Sequence, residues 1–342
     1  MPPRNIRRNH SSRRRNSDEL SDQYGNFRNY FYSAILATFC FVMFREFLLM
    51  RKAHANNPLT LIGKDSASDI YQKRAELMER LTKRDTSIEH GSRPVMYTFF
   101  EWIHPREREM GVPDDASESF IIEWKAAWKA AGWEPIVLSL ANAKKHPQFD
   151  KFYERLMKIP MPDINGYPSR LNRLTYLRWL AVAAVGGGFM SDYDVFPLSQ
   201  APKTSDLPYQ GKFSVFCKLH QPTNAGVPCL MSGNANEWTR VAMALLESGE
   251  LNGNVRKGWS DMLAMIDLRN SGTYSLYDRV FHGNEMPTPV ASADECKLLE
   301  GKNAIRFPLS RFPPKGALID RPIMIRRFLG SWSKSCTPAG QL

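Results

Sequence analysis

Asp192 and Asp194 flank Tyr193 one residue after the short apolar run Phe189–Met190, and Arg178 lies fourteen residues before the first of them. Two carboxylates at i and i+2 on an extended chain point the same way. Both can therefore reach one hard divalent cation. Mg²⁺ or Mn²⁺ is typically held by one or two carboxylates, with diphosphate oxygens completing the shell. Such a cation neutralises a leaving diphosphate. A bare Asp-x-Asp is common, and its plain reading is a solvated acidic turn. The surroundings argue otherwise: an apolar strand leads in, Val195, Phe196 and Pro197 lead out, and a helix carrying Arg178 comes just before.

The elements that must position these residues follow from the pattern around them. Ser169 suits a helix N-cap. Leu171, Leu174, Leu177, Ala181, Ala184 and Val185 recur at three- and four-residue spacing, which predicts an amphipathic helix. Gly186, Gly187 and Gly188 end it, since glycine takes the left-handed turn cheaply. Upstream, Val95–Ile103 reads as a buried strand and Ser117–Ala131 as a helix with Phe120, Ile121, Trp124 and Trp128 on one face. Trp133–Leu140 reads as a second strand. Strand, helix, strand predicts a parallel βαβ unit, whose ligands bind beyond the carboxyl ends of the strands. Lys212–Cys217 and Val227–Met231 read as short strands, and Glu237–Leu246 and Gly258–Leu268 as helices. Ser260 and Asp261 fall near the start of the last one. An exposed helix N-terminus attracts anions, although a Ser-Asp pair there is more often only a cap.

From Ser169 to Leu198 the chain resembles the DXD glycosyltransferases of family 32, the outer-chain mannosyltransferases and related capsular and sphingolipid sugar transferases. The shared pattern is Arg, an aliphatic helix, Gly-Gly, aromatic, aliphatic, Ser, then Asp-x-Asp-Val. The resemblance implies an α/β fold of the GT-A type, Rossmann-like with a mainly parallel central sheet. It implies a UDP- or GDP-sugar donor, Mn²⁺ (or Mg²⁺), and retention at the anomeric carbon. Asp192 and Asp194 would hold the metal and act catalytically. Arg178 would contact the donor sugar or diphosphate. Thr98 and Phe99 would lie where the nucleotide base sits. Gly187, Gly188, Asp261 and Trp332 complete the donor-side candidates.

The match departs from the family pattern in identifiable places. Thr175 stands where the family has an Asp three residues before the helix Arg, and three glycines stand where two are usual. The segment Pro322–Trp332 resembles the family's closing element, an aliphatic strand, a His, then Gly-Ser-Trp. Gly330, Ser331 and Trp332 match, but Arg326 and Arg327 occupy the place of the His, which would be a third metal ligand. His282 is one substitute. Direct binding of the diphosphate by the fork of an Arg is another.

The 342 residues suffice for one large α/β domain with extensions. At 43% hydrophobic and 24% charged, most of the chain is expected to fold. Residues 1–29 differ: seven arginines against three acidic residues give that head a net charge of +4 of the total +11. It reads as a disordered cytosolic head. The rest of the charge is spread without an aromatic-interleaved basic stripe, so no nucleic-acid partner is expected. Tyr30–Met50 reads as a transmembrane signal anchor. As a helix it would be about 30 Å long, close to a bilayer core. A buried core helix, a cleaved signal peptide and an organellar transit peptide are the alternatives. The basic block precedes the span, which puts the N-terminus in the cytosol. Residues 51–93 read as a stem with a solvated spacer helix over Asp69–Leu81, and 94–342 as the GT-A domain.

Together these features predict a single-pass type II protein of the Golgi or ER membrane, with a lumenal domain that moves a sugar onto a glycan or glycolipid. A membrane-anchored pseudoenzyme, or a sugar-nucleotide- or glycan-binding protein on the same fold, is the alternative. Thr175 and the missing late His favour it. A membrane-anchored scaffold would leave the Asp-x-Asp unexplained. Cys217, Cys229, Cys296 and Cys336 show no zinc spacing. One or two disulfides among them, or buried free thiols, both fit.

Overall fold

The computed structural model describes residues 67–83, 93–103, 114–161, 169–202, 212–218, 225–253, 259–283, 293–308 and 317–336. The expectations for the head 1–29, the span Tyr30–Met50 and the stem as far as residue 66 lie outside the described residues. Among the described residues, no helix is long and apolar enough to cross a membrane.

Helix α1 (Ala67–Thr82) carries the apolar residues expected of a solvated spacer, but it is not one. Leu77 and Leu81, four residues apart on one face, are buried in the core. Arg74 pairs with Glu101 at 2.6 Å. Lys125 donates to the carbonyls of Leu81 and Lys83 at 3.1 and 3.2 Å, closing the end of the helix where carbonyls lack intrahelical partners. The helix expected within the stem thus packs against the folded domain.

Strand β1 (Val95–Phe99), helix α2 (Asp114–Ala130) and strand β2 (Glu134–Leu138) form the expected parallel βαβ unit. Gly132, at φ +84°, turns the chain from α2 into β2. After α3 (Leu140–Ala143) and α4 (Phe149–Lys158) comes α5 (Ser169–Ala184), the helix with Arg178. It leads into β3 (Gly187–Ser191), parallel to β1, and then β4 (Val195–Pro197). Strands β5 (Ser214–Val215) and β6 (Leu230–Asn234) precede α6 (Ala235–Asn252) and α7 (Asp261–Asp267). Strands β7 (Ser275–Leu276) and β8 (Val280–His282), helix α8 (Ala293–Leu298), strand β9 (Ala304–Arg306) and helix α9 (Ala317–Cys336) complete the described chain.

The result is a mixed α/β domain around two sheets. The larger has the order β2-β1-β3-β6-β5-β7. Its pairings leave β6 as the one reversed strand, antiparallel to both β3 and β5, while β7 runs parallel to β5. The smaller sheet has the order β4-β9-β8. Alternation along the strands feeds two cores. Met96, Phe100 and Phe189 join α2 on one face, while Tyr97 and Met190 join α5 and α6 on the other.

Helix α5 is buried more completely than an amphipathic pattern predicts: every residue from Tyr176 to Ala183 is buried. It lies between the sheet and the helices α3, α6 and α7. A charged residue within that stretch has no solvated face, so it must be paired inside the protein.

The closing segment also differs. Pro322–Trp332 does not form the aliphatic strand that the resemblance suggests. It continues helix α9 straight through Pro322. The reason lies in its spacing: Arg321, Ile325 and Phe328 are buried, whereas Ile323 is exposed. Offsets of four and three mark one helical face. The cysteines form two disulfides, Cys217–Cys229 and Cys296–Cys336.

Candidate functional site

The five forward strands of the larger sheet end on one edge, and Asp192 follows the last residue of β3 on that edge. The turn after β3 is held from several sides. The Asp192 amide donates to the Cys229 carbonyl at 2.8 Å, and the Val195 amide donates back to the Asp192 carbonyl at 3.1 Å. Helix α2 clamps the same turn from beneath. Trp124 donates through Nε1 to Ser191 Oγ at 2.9 Å, and Trp128 donates to the Val195 carbonyl at 3.0 Å. The Phe307 amide donates to the Asp194 carbonyl at 2.8 Å, which ties the turn to β9.

Six charged side chains converge here. Arg178 donates through Nε and Nη2 to Asp261 Oδ2, at 3.1 and 2.6 Å, and through Nη1 to Asp192 Oδ1 at 2.5 Å. Trp179 donates to the same Asp261 oxygen at 3.2 Å. Arg306 donates through Nε to both oxygens of Asp194, at 3.3 and 3.2 Å, and its Nη2 lies 3.5 Å from Asp192 Oδ2. Arg321 reaches within 3.8 Å of Asp194 Oδ2, donates to the Phe307 carbonyl, and lies 4.1 Å over the Phe120 ring.

Burial governs the electrostatics. It works against the charge on Arg178, but the carboxylates of Asp261 and Asp192 outweigh it and hold the guanidinium above its ordinary pKa. Arg306 is raised in the same way, with Asp194 and Asp192 prevailing over burial. Burial pushes the Asp192 carboxyl up, against the pull of Arg178 and Arg306. Arg321 is lowered by burial, which Asp194 offsets only in part.

These side chains, as disposed, do not fit a resident divalent cation. Each of the four carboxylate oxygens of Asp192 and Asp194 already faces a guanidinium nitrogen. Among the described residues, no third His, Cys, Asp or Glu joins them in a group able to hold a metal. His282 points elsewhere, with Nε2 3.7 Å from Cys217 Sγ and 3.4 Å from the Lys218 carbonyl.

The candidates from the sequence therefore divide. Arg178, Asp192, Asp194 and Asp261 come together. Asp261, 3% exposed, sits behind Arg178 rather than facing outward, and Ser260 serves as the cap of α7. Phe99 ends β1 two residues past Tyr97, as Asp192 follows Met190 by two, and Tyr97 and Met190 are in register. That puts Phe99 level with Asp192.

Others are placed away from the cluster. Thr98 is 0% exposed inside the sheet and has no surface for a donor. Gly187 and Gly188 begin β3, and Gly187 precedes Asp192 by about 16 Å of extended chain. Their role is local. A Cβ on Gly187 would lie 2.5 Å from the Ala235 amide nitrogen, and one on Gly188 would lie 3.2 Å from the Tyr97 ring. Trp332 stands eleven residues beyond Arg321 on α9, about 16 Å along the axis, and packs on the core. Arg326, expected near the site, pairs with Glu123 on an exposed face, and Arg327 is exposed beside it. Thr175, in place of the family's Asp, donates to its own helix at the Asn172 carbonyl, 2.7 Å away.

Arg306 and Arg321 carry no signature in the sequence around them. Arg306 is 112 residues from its partner Asp194 and belongs to no motif. A cleft of about 480 Å³ opens elsewhere, beside Tyr97, Ser139 and Asn142, and no member of the charged cluster lines it.

No curated protein matches the chain. A family model described as a domain of unknown function, DUF8765, matches residues 85–257. That span is half of the 342-residue chain; it includes Arg178, Asp192 and Asp194 and stops before Asp261, Arg306 and Arg321. The chain belongs to the DUF8765 family.

Proposed function

We propose that this chain is a nucleotide-sugar-dependent glycosyltransferase of the GT-A type, moving a sugar from a UDP- or GDP-sugar to a glycan or glycolipid acceptor with retention. The observation that carries the reading is the ion pair of Arg178 and Asp192. The Arg of the central helix and the first carboxylate of Asp-x-Asp, both part of the pattern that resembles family 32, meet at 2.5 Å on the carboxyl edge of the forward strands. Ligands of such sheets bind on that edge.

In this reading Asp192 takes hydroxyls of the donor sugar or ribose, and Arg178 takes the donor sugar or its diphosphate. The acceptor oxygen bonds to the anomeric carbon as the bond from that carbon to the phosphate oxygen breaks. The nucleoside diphosphate leaves with the electron pair, and its departing oxygen takes the acceptor's proton. No general base is needed, and positive charge around the leaving group supplies the main stabilisation. The N-terminal segment Tyr30–Met50 would anchor the enzyme in the Golgi or ER membrane with this domain in the lumen. The two disulfides support an oxidising compartment.

The test is a panel of UDP- and GDP-sugars offered to the detergent-solubilised full chain, with release of free sugar and nucleotide measured. Turnover of one donor, lost in Asp192→Asn, is the expected result; no turnover of any donor refutes the reading. A second reading, a protein of this fold that binds sugar nucleotides or glycans without turnover, draws on Thr175. Its hydroxyl is bonded to its own helix and supplies no carboxylate. Donor binding without hydrolysis would favour it.

A further inference from the structure

One guanidinium spans both carboxylates of the Asp-x-Asp. Arg306 meets the two oxygens of Asp194 through Nε and approaches Asp192 through Nη2 at 3.5 Å. It stands where a cation shared by the pair would stand. Arg321 flanks Asp194 from α9. We infer that Arg306, with Arg321 beside it, supplies the positive charge that receives a diphosphate here, so that the site binds its ligand without a divalent cation. The inference rests on the donor reading above for the identity of the ligand.

Three observations support it. A divalent cation entering between Asp192 and Asp194 would meet like charge at close range and would have to expel Arg306 first. Arg306 also keeps donors to give: a guanidinium has five N–H groups in a planar fork that matches phosphate. Its side chain is 22% exposed, against 10% for Arg178 and 8% for Arg321, so it is the arginine that presents the fork outward.

The third is placement. Arg306 ends β9, the central strand of the small sheet, and is in register with Val195 of β4, the residue after Asp194. The Phe307 amide holds the Asp194 carbonyl. Guanidinium and carboxylate thus sit at the end of one strand and just before its paired neighbour, and the charge is fixed in place before any ligand arrives. Preorganised charge of this kind stabilises a leaving diphosphate without reorganisation.

The test uses the full chain and inorganic pyrophosphate as the probe, followed by calorimetry in EDTA and then in Mn²⁺. Wild type is expected to bind pyrophosphate in EDTA. Arg306→Gln is expected to lose about tenfold or more of that affinity, as for one charge-assisted hydrogen bond. The same variant should gain Mn²⁺ binding, because Asp192 and Asp194 lose their bridging cation. Should Arg306→Gln fail to fold, Arg306→Lys keeps the charge without the fork, and pyrophosphate should again weaken. Binding that requires Mn²⁺ in wild type, or pyrophosphate affinity unchanged in both variants, overturns the inference. The two readings separate cleanly. Arg306-dependent pyrophosphate binding in EDTA with no sugar nucleotide turned over leaves this inference standing and removes the transferase. Turnover seen only with Mn²⁺ does the reverse.

Discussion

Asp261 lies directly behind Arg178 and accepts two of its N–H groups through a single oxygen, Oδ2, at 3.1 and 2.6 Å. Both groups are buried. The pair explains how the fully buried half of this helix tolerates an arginine, and it fixes the direction in which Nη1 reaches Asp192. Breaking a buried pair costs about 3–5 kcal/mol when the charge left behind has no other partner, and Arg178 keeps Asp192. Asp261→Ala is therefore expected to lower unfolding free energy by up to that amount in urea titration and, on the proposed transferase reading, to abolish donor turnover. Wild-type stability in the variant would show that water, and not Asp261, compensates Arg178.

The hydrogen bond from Trp124 to Ser191 fixes the residue just before Asp192. Ser191 is fully buried, so Trp124→Phe leaves its hydroxyl without that donor, at about 1–3 kcal/mol. Ser191→Ala orphans the indole N–H at a similar cost. The double variant should recover part of the sum, because neither partner is then left alone. Strict additivity in a thermal-denaturation cycle would mean that the bond does not couple the two residues.

His146 gives the fold a pH dependence on its acid side. The Gln148 amide donates to Nδ1 at 3.2 Å, and Nε2 lies 3.0 Å from Thr239 Oγ1, whose own proton goes to the Ala235 carbonyl. The ring is thus neutral, with its proton on Nε2. Burial holds its pKa below the ordinary 6.5. The unfolded chain binds the proton more readily, so this contribution to stability is complete above pH 6.5 and declines as pH falls through and below that value. His146→Gln should flatten the melting-temperature profile between about pH 7 and 5. A profile of unchanged slope assigns the acid sensitivity to other groups.

The disulfides close loops of 12 and 40 residues. Chain-entropy reasoning assigns them about 3 and about 4 kcal/mol of stability. Cys296→Ser with Cys336→Ser should lower the urea midpoint and loosen α9, which carries Arg321. Pyrophosphate affinity should fall with it. An unchanged midpoint in the double variant would mean that packing alone holds α9.

Much of this architecture is legible in the chain because it is local. Arg178, the glycine break and Asp192 fall within fifteen residues, and helical and strand periodicity locate each of them. Asp261 is visible as a carboxylate at a helix start, although its burial behind Arg178 is a tertiary fact. Arg306 and Arg321 have no local signature. Their meaning depends on β9 pairing with β4 and on α9 lying over Phe120, contacts that join distant parts of the sequence. The closing Gly-Ser-Trp misleads for the opposite reason. Its tripeptide matches a motif, but the alternation of buried and exposed residues around Ile325 is helical, and periodicity outweighs the match. Likewise, Gly187 and Gly188, given as donor-side candidates by the resemblance, meet the close approach of Ala235 and Tyr97.

Three indole rings are hydrogen-bonded into the charged cluster and its supporting turn: Trp179 to Asp261, Trp124 to Ser191, and Trp128 to the Val195 carbonyl. Indole emission responds to the electric field across the ring, and all three rings are buried away from quenching solvent. The protein thus carries its own optical probe. An anion settling on Arg306 would change the charge around Asp192 and Asp194, next to the Ser191 that Trp124 holds, and a change at Arg178 would reach Trp179 through Asp261. Ligand arrival can be followed from intrinsic fluorescence with no label attached, and replacing each tryptophan in turn by phenylalanine divides the signal between the front and the back of the cluster.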